Sequence, residues 1–294
     1  MEEQLAKWNS GFFGERSLKY FYRYLPKKDI IFVYNVRIFH IGYHFQIDTL
    51  IITSKFFMIL EIKNYAGHLY FDDKFGQLVR TLNGKKDIFE DPILQVKRQL
   101  FHLTHILNKY KLPIIPIEPL VVISNPKSFV ESSPTYKEAL KIVIKSPKLQ
   151  NKYEEFNNNY KENILTFKEM KKISKILYKL DEPYNPDIYK HFGIQHNELI
   201  RGVLCSKCDS TNIMNRVATS WKCTSCFSIS KTAQIQALKD YALLISTQIS
   251  NQECKNFLNL STRDQSHYLL NSLKLTYTGT TRSRTYHLDS LLNS

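Results

Sequence analysis

The hydrophobic and polar positions of the first 180 residues alternate between strand and helix periods. Leu18, Phe21, Tyr22 and Leu25 recur at helical spacing and predict a helix over 10–25. IIFVYNVRIF is a β-branched and aromatic strand, YHFQIDTLII alternates, and KFFMILEIKNY is an apolar run of strand length, as a buried strand requires. HLYFD and QLVRTL predict two more strands, and Asn83-Gly84 supplies a tight hairpin turn in which both central residues take φ > 0. Pro92 opens a helix whose apolar stripe runs through Ile93, Val96, Leu100, Leu103 and Leu107. Gln95, Gln99 and His102 form a second, polar stripe on it. EPLVVIS and ALKIVIKS are further strands, residues 150–180 a lysine-rich helical stretch, and DEPYNPDIYKHFG a linker by its Pro and polar content.

Beyond residue 200 the chemistry changes. Cys205-Ser-Lys-Cys208 and Cys223-Thr-Ser-Cys226 are two CxxC knuckles. Facing turns of this kind supply four thiolates to a tetrahedral Zn²⁺, and with all four positions filled the metal is structural. The fifth cysteine, Cys254, stands alone and is expected as a small packing residue. AQIQALKDYALLI, SNQECKNFLN and SHYLLNSLKL predict three short helices, the last with a capping-box-like start at Ser261-Thr-Arg-Asp264. TYTGTTRSRTYHLD then gives a basic hairpin. Three helices and a hairpin resemble a winged helix-turn-helix, which puts Arg263, Gln265, Ser266 and His267 at the groove-facing start of the third helix and Arg282 and Arg284 on the wing. Winged helices also dock proteins, so DNA contact through Arg263, Arg282 and Arg284 is an expectation to be tested.

Composition narrows the partners. Hydrophobic residues make up 43% and charged residues 23%, a globular balance. Lys and Arg number 41 against 27 Asp and Glu, a formal net charge of +14 that favours a polyanion, nucleic acid first. MEEQLAKWNSGFFGERS lacks the apolar core of a signal peptide, and LIITSKFFMILEI and PLVVIS are too short or too interrupted to span a bilayer. The expectation is a cytoplasmic protein with no membrane partner, in keeping with a cysteine pattern that is not a disulfide framework.

Asp48 ends the alternating strand, and Glu61-Ile-Lys63 ends the apolar one. Residues i and i+2 of a strand share a face, about 6.6 Å apart, so Glu61 and Lys63 project together. A turn at Thr53-Ser54-Lys55 returns the chain antiparallel and sets Asp48 beside Glu61. Two carboxylates suit Mg²⁺ or Mn²⁺, which polarises a phosphodiester and acidifies bound water, while a lysine orients or deprotonates that water and stabilises developing charge. His44 and Gln46 share a strand face with Asp48 and one could reach the phosphate, though a polar residue facing solvent is the commoner explanation.

Gly14-Glu15 in an opening helix, Ile47-Asp48, Glu61-Ile-Lys63-Asn64, Gly67, and Asp91-Pro92 followed by Gln95 together resemble the nuclease-related domain (NERD), grouped with the PD-(D/E)XK nucleases. The resemblance covers residues 10–125, extending toward 180. It implies an α/β fold, a PD-(D/E)XK-type mixed central sheet flanked by helices, and Mg²⁺-dependent cleavage or processing of DNA. It also implies Asp48 and Glu61 as metal ligands, Lys63 as the catalytic lysine, Glu15 as a helix-borne carboxylate assisting the metal site, and Gln95 facing the site. Asn64 and Gly67 are expected as a strand exit and a turn. The organisation expected is a nuclease-like domain at 10–180 (core 10–125), a linker at 181–200, a four-cysteine zinc ribbon at 201–230 and a winged-helix-like domain at 231–294. The function expected is a DNA-directed nuclease in DNA processing or defence, with other DNA-processing proteins as further partners. The alternative is a catalytically silent DNA-binding regulator or protein-docking scaffold.

Overall fold

A computed structural model describes residues 2–208, 212–280 and 283–292, which divide into two compact units at Tyr184/Asn185. In the first, α1 (Glu2–Phe21) precedes β1 (Ile30–His40), β2 (Tyr43–Thr53) and β3 (Phe57–Lys63). Next come β4 (Gly67–Asp72), β5 (Gln77–Leu82), β6 (Lys85–Glu90) and α2 (Pro92–Lys109). Then β7 (Ile117–Ile123), β8 (Ser128–Ser132), α3 (Ala139–Ile142), β9 (Val143–Lys145), α4 (Leu149–Asn159) and α5 (Phe167–Lys179) complete it.

The main sheet has the order β1-β2-β3-β7-β9 and is mixed: β1, β2 and β3 run antiparallel, while β7 and β9 lie parallel to β3. Apolar residues on both faces of β3 bury it from two sides. Phe57 and Ile59 enter a core with Val96 and Leu103 of α2 and Met170, Ile173 and Leu177 of α5. Met58, Leu60 and Ile62 enter another with Leu18 of α1 and Leu149 and Phe156 of α4. A second sheet, β6-β5-β4-β8, contributes Leu69, Phe71 and Leu78 to the first of these cores.

Local chemistry sets the boundaries. Thr53 Oγ accepts from the N–H groups of Lys55 and Phe56 and donates to the Phe56 carbonyl, which closes the β2–β3 turn. Asn83 and Gly84 join β5 to β6 at φ +51° and +78°. Asp91 caps α2: its carboxylate accepts from the Ile93 N–H at 2.8 Å and from the Tyr136 hydroxyl at 2.7 Å, with Pro92 at the first helical position. Two differences from the periodicity stand out. The helical stretch 150–180 is two helices, because Thr166 and Glu169 build a capping box that starts α5 afresh. Asp181 and Glu182 are part of the first unit: the Asp181 carboxylate and the Glu182 backbone bond Arg37 on the edge strand β1, covering an otherwise unpaired edge.

Gly67 starts β4 at φ +96°, and a Cβ built there meets the Thr81 carbonyl oxygen at 2.5 Å. Gly67→Ala therefore carries both backbone strain and a steric shift of β5. The expected cost is about 1–3 kcal/mol in urea unfolding, and an unchanged midpoint would remove this role.

The second unit opens with α6 (Ile188–Phe192), inside the stretch read as a linker; Asp187 caps it and Gly193 ends it at φ +66°. A four-stranded antiparallel ribbon follows: β10 (Val203–Leu204), β11 (Ile213–Val217), β12 (Ser220–Cys223) and β13 (Ile229–Ser230). Then come α7 (Ala233–Leu244), β14 (Gln248–Ser250), α8 (Asn251–Phe257), α9 (Arg263–Ser272), β15 (Tyr277–Thr278), β16 (Thr285–His287) and α10 (Asp289–Leu292). β14, which helical periodicity hides, pairs with β16 and makes the sheet β14-β16-β15. One core runs from the ribbon through the helices that follow it, joining Cys205, Trp221 and Cys223 to Leu238, Ile249, Phe257 and Tyr286. No helix among the described residues is long and apolar enough to cross a membrane.

Candidate active site and metal centre

The site in the first unit forms where the β2–β3 ladder ends. The last paired residues are Thr49 and Leu60. One step on, Asp48 Oδ2 accepts from the Ile62 backbone N–H at 2.8 Å, so a carboxylate continues the ladder in place of a carbonyl. On β3, Glu61 is 2% exposed and pairs through Oε1 with Lys63 Nζ at 2.6 Å. Helix α2 supplies the other partners. Gln95 Oε1 accepts from Lys63 Nζ at 3.0 Å, and one turn later Gln99 Nε2 donates to Glu61 Oε2 at 2.5 Å. Gln99 is 2% exposed, and its own Oε1 is buried without a partner. Its place on the polar stripe with Gln95 was visible in the sequence. Its contact with Glu61 depends on how α2 seats on the sheet.

Helix α1 is held against the exit of β3. Ser10 Oγ donates to the Asn64 carbonyl at 3.2 Å, and Asn64 Nδ2 donates to the Ser10 carbonyl at 3.0 Å. Gly14 allows the close approach, since a Cβ there would meet Asn64 Cβ at 2.8 Å. The helix thereby brings half-buried Glu15 into the field of Glu61 and Asp48. Burial first, and then the Glu61 charge, raise the Asp48 carboxyl well above the usual carboxylate range, against the opposing pull of the Ile62 N–H and Lys63. Burial and Glu61 raise Glu15 in the same way. Burial works to lower Lys63, but the charge and hydrogen bond of Glu61 outweigh it, and the ammonium is held above the ordinary lysine value.

Three carboxylates whose charges oppose one another are a donor set that a hard cation suits. All the donors are oxygen, the preference of Mg²⁺ and Mn²⁺, and a cation would relieve the repulsion that raises Asp48. Their oxygens are not drawn together within 4.8 Å; among the described residues only the cysteine set converges that closely. His44 and Gln46 turn to other partners, Glu182 at 2.8 Å and Asn35 at 2.5 Å.

In the second unit the Sγ atoms of Cys205, Cys208, Cys223 and Cys226 all lie within 4.8 Å of one another. The pairs Cys205–Cys226 and Cys208–Cys223 are each 3.7 Å apart. A tetrahedron with Zn–S bonds of about 2.3 Å has edges of about 3.8 Å, so the cluster is compatible with structural zinc. The Ser228 hydroxyl, which the CxxC pattern does not reveal, lies 3.4 Å from Cys205 Sγ and 3.1 Å from Cys226 Sγ. Ser228, and then the Lys207 N–H, hold the Cys205 thiol down to about 6. Hydrogen bonding to Cys226 and burial push Cys208 up to about 12, the crowding of ionisable thiols that a cation removes. Cys254 is fully buried in the core, and burial pushes its thiol up to about 12.

The residues expected to meet DNA are placed unevenly. Arg263 and His267 are exposed at the start of α9, although Arg263 Nε donates to Gln252 at 2.6 Å. Ser266 is fully buried and bonds the Asn251 and Arg263 carbonyls, so it faces inward. The helix cap is Thr262 rather than Ser261, and Gln265 Oε1 accepts from the Ser261 N–H. Arg284 is half-buried with its guanidinium 4.2 Å from the centre of the Tyr277 ring. Arg282 lies outside the described residues.

No curated protein and no solved structure matches the chain. Residues 10–124, the segment that carries Glu15, Asp48, Glu61, Lys63 and Gln95, match the family model of the nuclease-related domain.

Proposed function

We propose that the first unit is a metal-dependent nuclease acting on DNA phosphodiester bonds. The observation that carries the reading is the convergence of Asp48, Glu61 and Lys63 at the end of one strand pair, with Gln95 on the lysine and Glu15 in the same field. Asp48 and Glu61 would hold Mg²⁺ or Mn²⁺, assisted by Glu15. When bound, the ion supplies Lewis-acid polarisation of the phosphate and an acidified water. Glu61 and Gln95 fix the Lys63 ammonium, which then orients the attacking water and donates to the phosphate oxygen where negative charge grows. Gln99 positions Glu61 from behind.

The second unit supports a holding role. Its order, with α7, β14, α8 and α9 followed by a hairpin that pairs back onto β14, supports the winged-helix reading, and the cysteine ribbon packs into the same core. In this reading α9 presents Arg263 and His267 to DNA, and the net charge of +14 supplies the long-range attraction.

The test is cleavage of linear, circular and single-stranded DNA with Mg²⁺ or Mn²⁺. Asp48→Asn is expected to lower the rate at least about a hundredfold; cleavage that survives it overturns the site, and a wild-type protein that never cuts favours the silent regulator. The same variant has an opposite effect on stability. The folded-state pKa of Asp48 is raised, so its ionised form costs stability above that pKa, and the cost disappears as pH falls through it toward the unfolded value. Without divalent metal at pH 8, Asp48→Asn is expected to melt about 2–4 °C higher, the shift that roughly 1 kcal/mol gives in a domain of this size. The gap should close toward pH 4, and a variant that melts lower at pH 8 contradicts the reading.

A further inference from the structure

A groove of about 1370 Å³ opens beside the proposed active site, and the chemistry of its walls differs from that of the site. One wall is the exit of β3, Ile62 to Tyr65, so Lys63 takes part in lining it. Ser10 and Gly11 of α1 form part of another, and the β5–β6 hairpin forms the far side. Tyr65 and Phe89 stack within it, ring centres 4.6 Å apart and planes 16° from parallel. The Arg80 guanidinium lies 5.7 Å and 5.4 Å from those two ring centres and is fixed by Asp87 at 2.6 Å. Toward the hairpin tip, Lys85 is 82% exposed with only a 3.8 Å approach to Asp87. Lys86 is exposed and has no acidic partner among the described residues. The groove therefore joins an aromatic stack to exposed positive charge, and Lys63 is part of its lining.

We infer that this groove binds an unpaired strand of polynucleotide, one base extending the Tyr65–Phe89 stack and the adjoining phosphates meeting Lys85 and Lys86. Stacking platforms beside lysines are how proteins hold single strands, because each base offers a π-face once it leaves a duplex stack. In a duplex those faces are occupied by neighbouring bases, so the same groove offers a duplex only its charge. Arg80 is committed to Asp87 and to the rings; it rigidifies the platform, leaving the exposed lysines to track the backbone. The strand's path toward Lys63 rests on the nuclease reading, whereas its binding does not.

The experiment is fluorescence anisotropy with the full chain in buffer without added divalent ion. The probes are a labelled 15-nucleotide oligo-dT, the matching oligo-rU and a blunt 15-base-pair duplex. The double variant Lys85→Ala/Lys86→Ala, whose side chains are exposed, is expected to bind oligo-dT about tenfold more weakly, with the log–log salt slope shallower by about 1.4. Phe89→Leu keeps the apolar contact and loses the ring; it is expected to weaken oligo-dT about fivefold and the duplex by less than twofold. Unchanged oligo-dT affinity in both variants, or equal losses for strand and duplex in Phe89→Leu, overturns the inference. The oligo-rU arm decides whether the strand is DNA alone or either polynucleotide. Cleavage abolished by Lys63→Ala while both groove variants bind normally overturns the groove and leaves the nuclease. Strand binding lost in the groove variants of a protein that never cuts leaves the groove and overturns the nuclease.

Discussion

Replacing Lys63 with Met is expected to lower metal-dependent cleavage by about 10²–10³-fold and, separately, to destabilise the first unit by about 2–4 kcal/mol. The second effect arises at Glu61, whose side chain is 3% exposed and would lose the ammonium at 2.6 Å, keeping only Gln99. Removing one partner of a fully buried pair costs about 3–5 kcal/mol; the range here is lower because the Lys63 side chain is 19% exposed, so water can enter as it leaves. Glu61→Gln leaves the lysine with Gln95, while the double variant Glu61→Gln/Lys63→Met removes both charges of the pair. Urea unfolding of the four proteins should therefore give a coupling energy of about 1–3 kcal/mol, with the double variant more stable than the sum of the singles. Cleavage should not recover in the double variant. Recovery of stability without activity separates the chemistry of the pair from its part in folding; additive unfolding energies would mean that the two side chains act independently.

The legible and illegible parts of this site divide along one physical line. Strand periodicity puts Glu61 and Lys63 on one face, and the Thr53–Lys55 turn puts Asp48 opposite them, because both relations are local and pass through a ladder of fixed spacing. What periodicity could not supply is how separate elements seat on one another. Gln99 sits on the same stripe as Gln95, but its bond to Glu61 exists because Val96 and Leu103 pack α2 onto β3 at that height. The reciprocal bonds between Ser10 and Asn64 likewise depend on α1 reaching the sheet, with Gly14 the only trace of the contact in the sequence. In the second unit, Ser266 lies in the helical segment predicted to face DNA, yet it is buried, because the cap falls at Thr262 and the inward face is set by Leu269 and Leu270. β14 is three residues long and acquires its partner from residues 285–287, too short and too distant a pairing for a local pattern to reveal.

Removal of the zinc that the four cysteines are compatible with is expected to unfold much more than the ribbon. Treated as separate modules, residues 201–230 would lose order on zinc removal and residues 231–294 would persist. The core argues otherwise. Cys205 and Cys223 are buried in the same cluster as Leu238, Tyr241, Ile249 and Tyr286, and Trp221 of β12 donates from its indole nitrogen to Gln234 of α7 at 2.8 Å. Structural zinc contributes about 10–16 kcal/mol to the folding of a small domain, at or above the roughly 5–15 kcal/mol of a whole domain's stability. A unit whose core contains two of the four cysteines that would hold zinc could not lose that contribution locally. Chelation, or Cys223→Ser, should therefore remove hydrogen-exchange protection from α7 and from β14 to β16 together with β10 to β13. The amides of β3 and α2, which belong to the other unit and its own core, should keep theirs. Loss confined to residues 201–230 would show that the ribbon folds alone, and full protection after metal removal would show that the four thiols need no cation.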